Sequence, residues 1–194
     1  MVDKSMAIRE RYVSAEEFWE LAHLPENAGK HMELIEGVVY EMPPAGFEHG
    51  KRTMKVSVPI ALFVDAHDLG IVTAAETGFV VHTDADGKDT ILAPDIAYIA
   101  KARLPAEPIR QYARLAPDLA VEVVSPNDKA AEIHTKINKY LQYGTKMVCV
   151  VYPATKTVEV HTPSGARTLG EADTFDGGDV LPGFSLPIRD IFSA

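Results

Sequence analysis

Residues 117–126 read Pro-Asp-Leu-Ala-Val-Glu-Val-Val-Ser-Pro. The run from Leu119 to Val124 is rich in β-branched residues, and a near-continuous apolar run of that length fits a central strand buried on both faces. Glu122 interrupts it. An ionised carboxylate buried without a partner is costly, so this position calls for a cation, a metal or a polar rim. An ordinary salt bridge and a functional acid satisfy that demand equally well at this stage. Downstream, Ile133, Ile137, Tyr140, Leu141 and Gly144 fall on one face of a helix. Residues 147–152, Met-Val-Cys-Val-Val-Tyr, form another buried strand, and residues 157–162, Thr-Val-Glu-Val-His-Thr, alternate as a half-exposed one. Upstream, residues 92–100 (Leu-Ala-Pro-Asp-Ile-Ala-Tyr-Ile-Ala) supply a strand that begins at Asp95.

Working outward, Ser14 and Glu17 have capping-box spacing ahead of Phe18, Trp19 and Leu21, which predicts a short helix over about residues 15–23, ended by residues 25–29. Residues 32–42 read as two strands around a tight turn at Glu36-Gly37. After the break at residues 43–46 a long helix is predicted over about residues 48–67, with Met54, Val58, Leu62 and Val64 near helical spacing and Gly70 as its C-terminal cap. Strands follow on both sides of the polar turn at residues 84–89, and Pro126-Asn127-Asp128 offers a helix start. From about Gly165 the Gly-, Asp- and Pro-rich tail is expected to close the sheet with short strands. This order gives an α/β (α+β) fold with a mixed sheet flanked by helices, divided into an N-terminal helical extension (1–30) and one main domain (31–194).

The 194 residues carry 19 basic and 28 acidic side chains, a net charge of −9. That is the opposite of the basic footprint expected of a nonspecific nucleic-acid binder. Nothing approaches a membrane span, and the N-terminus lacks the apolar core of a signal peptide. The single cysteine, Cys149, cannot form an internal disulfide, which fits a cytoplasmic protein. The histidines show no HExxH spacing, and the glycine-rich phosphate and dinucleotide signatures are absent.

Strands paired through the 103–115 connection would bring Asp95 and Glu122 together at one end of the sheet. Two convergent carboxylates suit Mg²⁺, which takes oxygen ligands and keeps several waters. The Pro94-Asp95 dipeptide carries little weight alone, because Pro117-Asp118 repeats it. Lys136, one helix downstream, has a stem long enough to run toward the carboxylates, although Glu132 precedes it in the favourable i,i+4 order for a surface ion pair. His49 opens the long helix and Glu33 the first strand, and each alone reads as structural.

Taken in order, residues 32–50, 92–100, 117–153 and the closing Leu-Pro-Gly-Phe-Ser-Leu-Pro-Ile-Arg-Asp-Ile-Phe (181–192) resemble a bacterial family, the Uma-type restriction endonucleases, once catalogued as a domain of unknown function. The resemblance implies a restriction-endonuclease-like PD-(D/E)XK core. It implies a Mg²⁺-dependent endonuclease, with Mn²⁺ as a substitute, acting on nucleic acid, DNA in particular. A homodimer is a separate expectation, and no membrane partner is expected. Asp95 matches the motif aspartate and Glu122 the motif acid. Position 124 is valine where the simple motif has lysine, so Lys136 is the matching lysine, supplied from the next helix. Glu33 and His49 match N-terminal motif positions of the family. A catalytically inactive binding or regulatory module on the same fold, and a metal-dependent phosphoesterase on a small substrate, are the competing readings.

Overall fold

The computed structural model of the chain describes residues 12–126 and 128–193. The first residues, on which the absence of a signal peptide was argued, and Asn127 of the expected helix start lie outside this range. Helix α1 (Ala15–Ala22) starts on the predicted capping box, with the Glu17 N–H donating to Ser14 Oγ at 3.2 Å and the Ser14 N–H donating to Glu17 Oε2 at 3.2 Å. Strands β1 (His31–Ile35) and β2 (Val38–Met42) form the expected hairpin. Glu36 and Gly37 both hold positive φ (53° and 77°), the pattern of a type I′ turn, whose twist matches that of the strands.

Helix α2 (Phe47–Ala66) has the predicted extent but not the expected inner face. Val56, Ile60 and Val64 are the buried stripe, while Met54, Val58 and Leu62 lie exposed. Its end also departs from expectation: His67 caps the helix and Asp68, not Gly70, takes the left-handed conformation. Gly70 instead begins β3 (Gly70–Ala74), where an added Cβ would stand 2.0 Å from the Ile99 carbonyl oxygen. Glycine is required there by close backbone approach rather than by capping.

Then come β4 (Phe79–Thr83), β5 (Asp89–Leu92), β6 (Ile96–Ala100), β7 (Leu119–Val123), α3 (Ala130–Gln142), β8 (Met147–Tyr152), β9 (Thr157–Thr162) and β10 (Gly165–Leu169). The strands make a six-stranded sheet, β10-β9-β8-β7-β6-β3, and a four-stranded antiparallel sheet, β2-β1-β5-β4. In the larger sheet only β7 and β8 run parallel, and α3 supplies the crossover between them, so the sheet is mixed as predicted. The tail does more than extend the sheet. Strands β11 (Thr174–Asp176) and β12 (Ser185–Pro187) pair with each other, and a short helix, α4 (Ile188–Phe192), follows. Phe175, Leu181, Phe184, Ile188 and Ile191 pack with Val56, Ile60 and Val64 of α2 against one face of the sheet.

The period-2 alternation of β7 sorts its side chains between two cores. Leu119, Val121 and Val123 face α2 and the tail. Ala120 faces α3, packed with Ile137 and Tyr140, so Glu122, two residues on, projects to that side as well. On the outer side of the smaller sheet, Ala15 and Phe18 of α1 pack on Leu34, Val80 and Ile91.

Asp118 stands at the other end of β7 and is almost fully buried. It accepts from the Ala100 N–H at 2.9 Å and pairs with Arg103 (3.0 Å) and Lys146 (2.8 Å). Burial pushes its carboxyl upward, but these three donors outweigh burial and hold it below the usual carboxylate range. It therefore adds stability above the pKa of an unfolded aspartate, and that stability is lost as pH falls through the lower folded value. Asp118→Ala should cost about 2 kcal/mol, because it strands the partly buried Ala100 N–H while both cations remain partly solvated. Urea denaturation at pH 7 measures this, and an unchanged midpoint would remove Asp118 from the stabilising network.

Candidate active site

Strands β6 and β7 are antiparallel, with Ile96 opposite Val121, so the next step of the same register sets Asp95 opposite Glu122. The ends of the two strands are tied by the Asp95 carboxylate, whose Oδ2 accepts the Val123 N–H at 2.7 Å. His49, in the first turn of α2, brings Nε2 within 3.1 Å of the same oxygen. No hydrogen bond to Asp95 Oδ1 is found among the described residues, so this oxygen is available to a ligand.

Lys136 reaches across from α3. Its Nζ lies 3.0 Å from Glu122 Oε1 and 3.0 Å from Glu33 Oε1. Glu132 pairs with Lys129 instead, so the surface-pair reading of Lys136 does not hold. Glu33 sits on β1 with its side chain 4% exposed, and its Oε1 also accepts the Ala93 N–H at 3.0 Å. It thereby joins the small sheet to the Pro94-Asp95 corner. The five residues singled out in the sequence, Glu33, His49, Asp95, Glu122 and Lys136, thus form one connected cluster.

A sixth member was read only as part of the apolar stripe. Tyr140, one turn beyond Lys136, donates its hydroxyl to Glu122 Oε1 at 2.9 Å. The available signal was the hydroxyl itself: a tyrosine at the centre of a buried stripe needs a polar partner, and Glu122 was the nearest polar residue on the adjoining strand. Tyr40, the register partner of Glu33 on β2, is half-exposed on the same face of the hairpin.

The electrostatics follow from burial. The Glu122 carboxyl is pushed up to about 7, chiefly by desolvation and also by the neighbouring Asp95 and Glu33, with Lys136 opposing. Burial alone would lower the Lys136 ammonium, but Glu122 and Glu33 hold it above the usual lysine range, so it stays charged. The hydrogen bond to Asp95 raises the His49 imidazole. Each raised group binds its proton more tightly in the folded chain than in the unfolded one. Stability is then lost as pH rises, from about 4.5 to 7 for Glu122 and above about 6.5 for His49. In a chelating buffer the chain should lose on the order of 2–3 kcal/mol between pH 5 and 8. Urea titrations at the two pH values test this, and Glu122→Gln should flatten the difference.

Among the described residues no group of three or more His, Cys, Asp or Glu side chains is placed to hold a metal ion. The donors that would hold one are Asp95, through its uncommitted oxygen, and Glu122, whose two oxygens Lys136 engages at 3.0 and 3.1 Å. Two carboxylates with water completing the shell suit a hard cation such as Mg²⁺ better than Zn²⁺, which prefers nitrogen and sulfur.

A family model named Uma2 and described as "Putative restriction endonuclease" matches residues 15–189. The chain belongs to this family. Among solved structures, a protein described as a putative nuclease belonging to DUF820 from Anabaena variabilis superposes with a TM-score of 0.77 at 24% identity. The match covers 93% of this chain and 97% of the other, which establishes the shared restriction-endonuclease-like fold over nearly the whole length. No curated protein matches the chain significantly. Membership covers all six clustered residues, and among the described residues no helix is long and apolar enough to cross a membrane.

Proposed function

We propose that this member of the Uma2 family is a Mg²⁺-dependent endonuclease that hydrolyses phosphodiester bonds of nucleic acid, DNA in particular. The observation that carries the proposal is the position of Lys136, 3.0 Å from Glu122 although the motif position, directly after the strand, is Val124. The helix supplies the cation that the strand lacks, at the end of the sheet where Asp95 and Glu122 meet.

Asp95 and Glu122 would hold a divalent cation, which would supply a water of lowered pKa and neutralise charge at the phosphate. The chain's own residues prepare the rest. The Val123 N–H and His49 hold Asp95 by one oxygen and leave the other free. Tyr140 fixes Glu122, and Glu33 holds Lys136 in place. Lys136 then presents a fixed positive charge toward the charge that develops on the phosphate, from a site with little water to screen it.

The cations of α3 and its N-cap bear on how substrate is held. Lys129 is paired with Glu132, Lys136 with Glu33 and Glu122, and Lys139 with Glu36. With net charge −9, backbone phosphate contacts contribute little here. Tyr40 offers an aromatic face on which an unpaired base can stack. The logarithm of DNA affinity should therefore fall with the logarithm of salt at a slope shallower than about −3, against roughly −0.9 per phosphate neutralised. Fluorescence anisotropy on a labelled oligonucleotide measures the slope.

The deciding experiment incubates the full chain with single-stranded, duplex and branched DNA and with RNA, in Mg²⁺ or Mn²⁺, alongside Asp95→Asn. Cleavage present in the wild type and absent in the variant supports the proposal. Nucleic-acid binding with no cleavage of any substrate would leave a silent binding module. Turnover of only a small phosphodiester such as bis-p-nitrophenyl phosphate would point to a small-substrate phosphoesterase.

A further inference from the structure

The outer face of α2 carries an apolar stripe that nothing among the described residues covers. Phe47, Met54, Val58 and Leu62 are 86%, 59%, 42% and 65% exposed. At 100° per residue they share one face with Lys51, Ala61 and Asp65, while His49 and Val56 point to the opposite side. The face runs about 27 Å from Phe47 to Asp65. A groove of about 610 Å³, lined by Lys51, Met54, Val58, Pro59, Leu186 and Asp190, borders it.

The stripe is complementary to itself in one register. A twofold axis through Val58 sets Met54 against the Leu62 position of a second, antiparallel helix. The same axis sets Lys51 against Asp65, each three residues outside its apolar neighbour. Neither Lys51 nor Asp65 has an ion pair within the chain among the described residues, and the axis pairs both at once. An isologous contact demands this kind of self-pairing. A nucleic-acid partner would instead require a run of cations, and the groove carries only Lys51 and Lys55, the second of which donates to Ser193 Oγ at 3.0 Å.

We infer that α2 is the dimerisation helix of this protein, packing antiparallel on α2 of a second copy about an axis at Val58. The site cluster lies on the far side of the helix and stays open, so the inference holds whether or not the site cleaves. One helix seam with its groove walls sits at the low end of specific interfaces, roughly 1,200 Å² in total, which fits association at micromolar rather than nanomolar concentration.

Sedimentation velocity on the full chain, from about 1 to about 200 µM, reads the assembly. The wild type should shift from monomer to dimer over that range, and Leu62→Glu should remain monomeric with its melting temperature unchanged. Lys51→Asp should weaken the dimer at least tenfold, and adding Asp65→Lys should recover most of that loss. Register is read separately with Val58→Cys, because the sole native thiol, Cys149, is buried. Under mild oxidation this variant should cross-link to a dimer. A wild type that stays monomeric throughout, or a dimer indifferent to Leu62→Glu, would overturn the inference, as would a charge swap that restores nothing.

Discussion

Lys136→Met will cost both folding stability and cleavage, and the two losses will separate in a second variant. The ammonium lies between two carboxylates at 3.0 Å from each, in a pocket where its side chain is 15% exposed. Methionine fills similar space without charge, leaving Glu33 and Glu122 to face each other in a poorly solvated site. Breaking a buried pair by removing one partner typically costs about 3–5 kcal/mol. Cleavage should fall by about 10²–10³, the usual effect of removing one preorganised group that stabilises transition-state charge. Adding Glu33→Gln to Lys136→Met relieves the like-charge contact, so stability should return by about half while cleavage stays low. Urea denaturation and single-turnover cleavage read the two losses. A Lys136→Met chain that cleaves at the wild-type rate would end the assignment of this lysine to the reaction.

Asp95→Asn should weaken Mn²⁺ binding at least about 100-fold, while the fold persists. The asparagine oxygen can still accept the Val123 N–H, so the tie between β6 and β7 survives. What disappears is the negative charge, and with it the oxygen on which a hard cation depends. His49 reports the change independently of any metal. Its imidazole is raised by the Asp95 carboxylate, so in the variant it should titrate lower, visible by NMR in chelating buffer. Calorimetry that finds equal Mn²⁺ affinity in both proteins would move the metal site elsewhere.

Several elements were legible in the chain because their cause is local. The Ser14 capping box, the Glu36-Gly37 turn and the period-2 alternation of β7 all follow from neighbours within a few residues. The same holds for the stripe of α3, which placed Ile137 and Tyr140 on one face. The inner face of α2 was not legible. Both Met54-Val58-Leu62 and Val56-Ile60-Val64 have helical spacing, and only the tail, packing Phe184, Ile188 and Ile191 against the second set, selects it. The tail was opaque for a related reason: its short strands and final helix owe their form to the core they cover.

The site divides along the same line. That Glu122 needed a partner followed from one carboxylate in an apolar run. Which partner it found required α3 to cross the sheet and place Lys136 and Tyr140 over it. The two Pro-Asp pairs show the limit most clearly. Pro94-Asp95 and Pro117-Asp118 each precede a strand, and the dipeptides are identical. Because β6 and β7 run antiparallel, their starts lie at opposite ends of the sheet. Asp95 therefore meets Glu122 and His49, and Asp118 meets Arg103 and Lys146. Residue identity by itself determined two equivalent Pro-Asp strand starts; strand direction, a property of the paired chain alone, decided which one faces the candidate reaction centre.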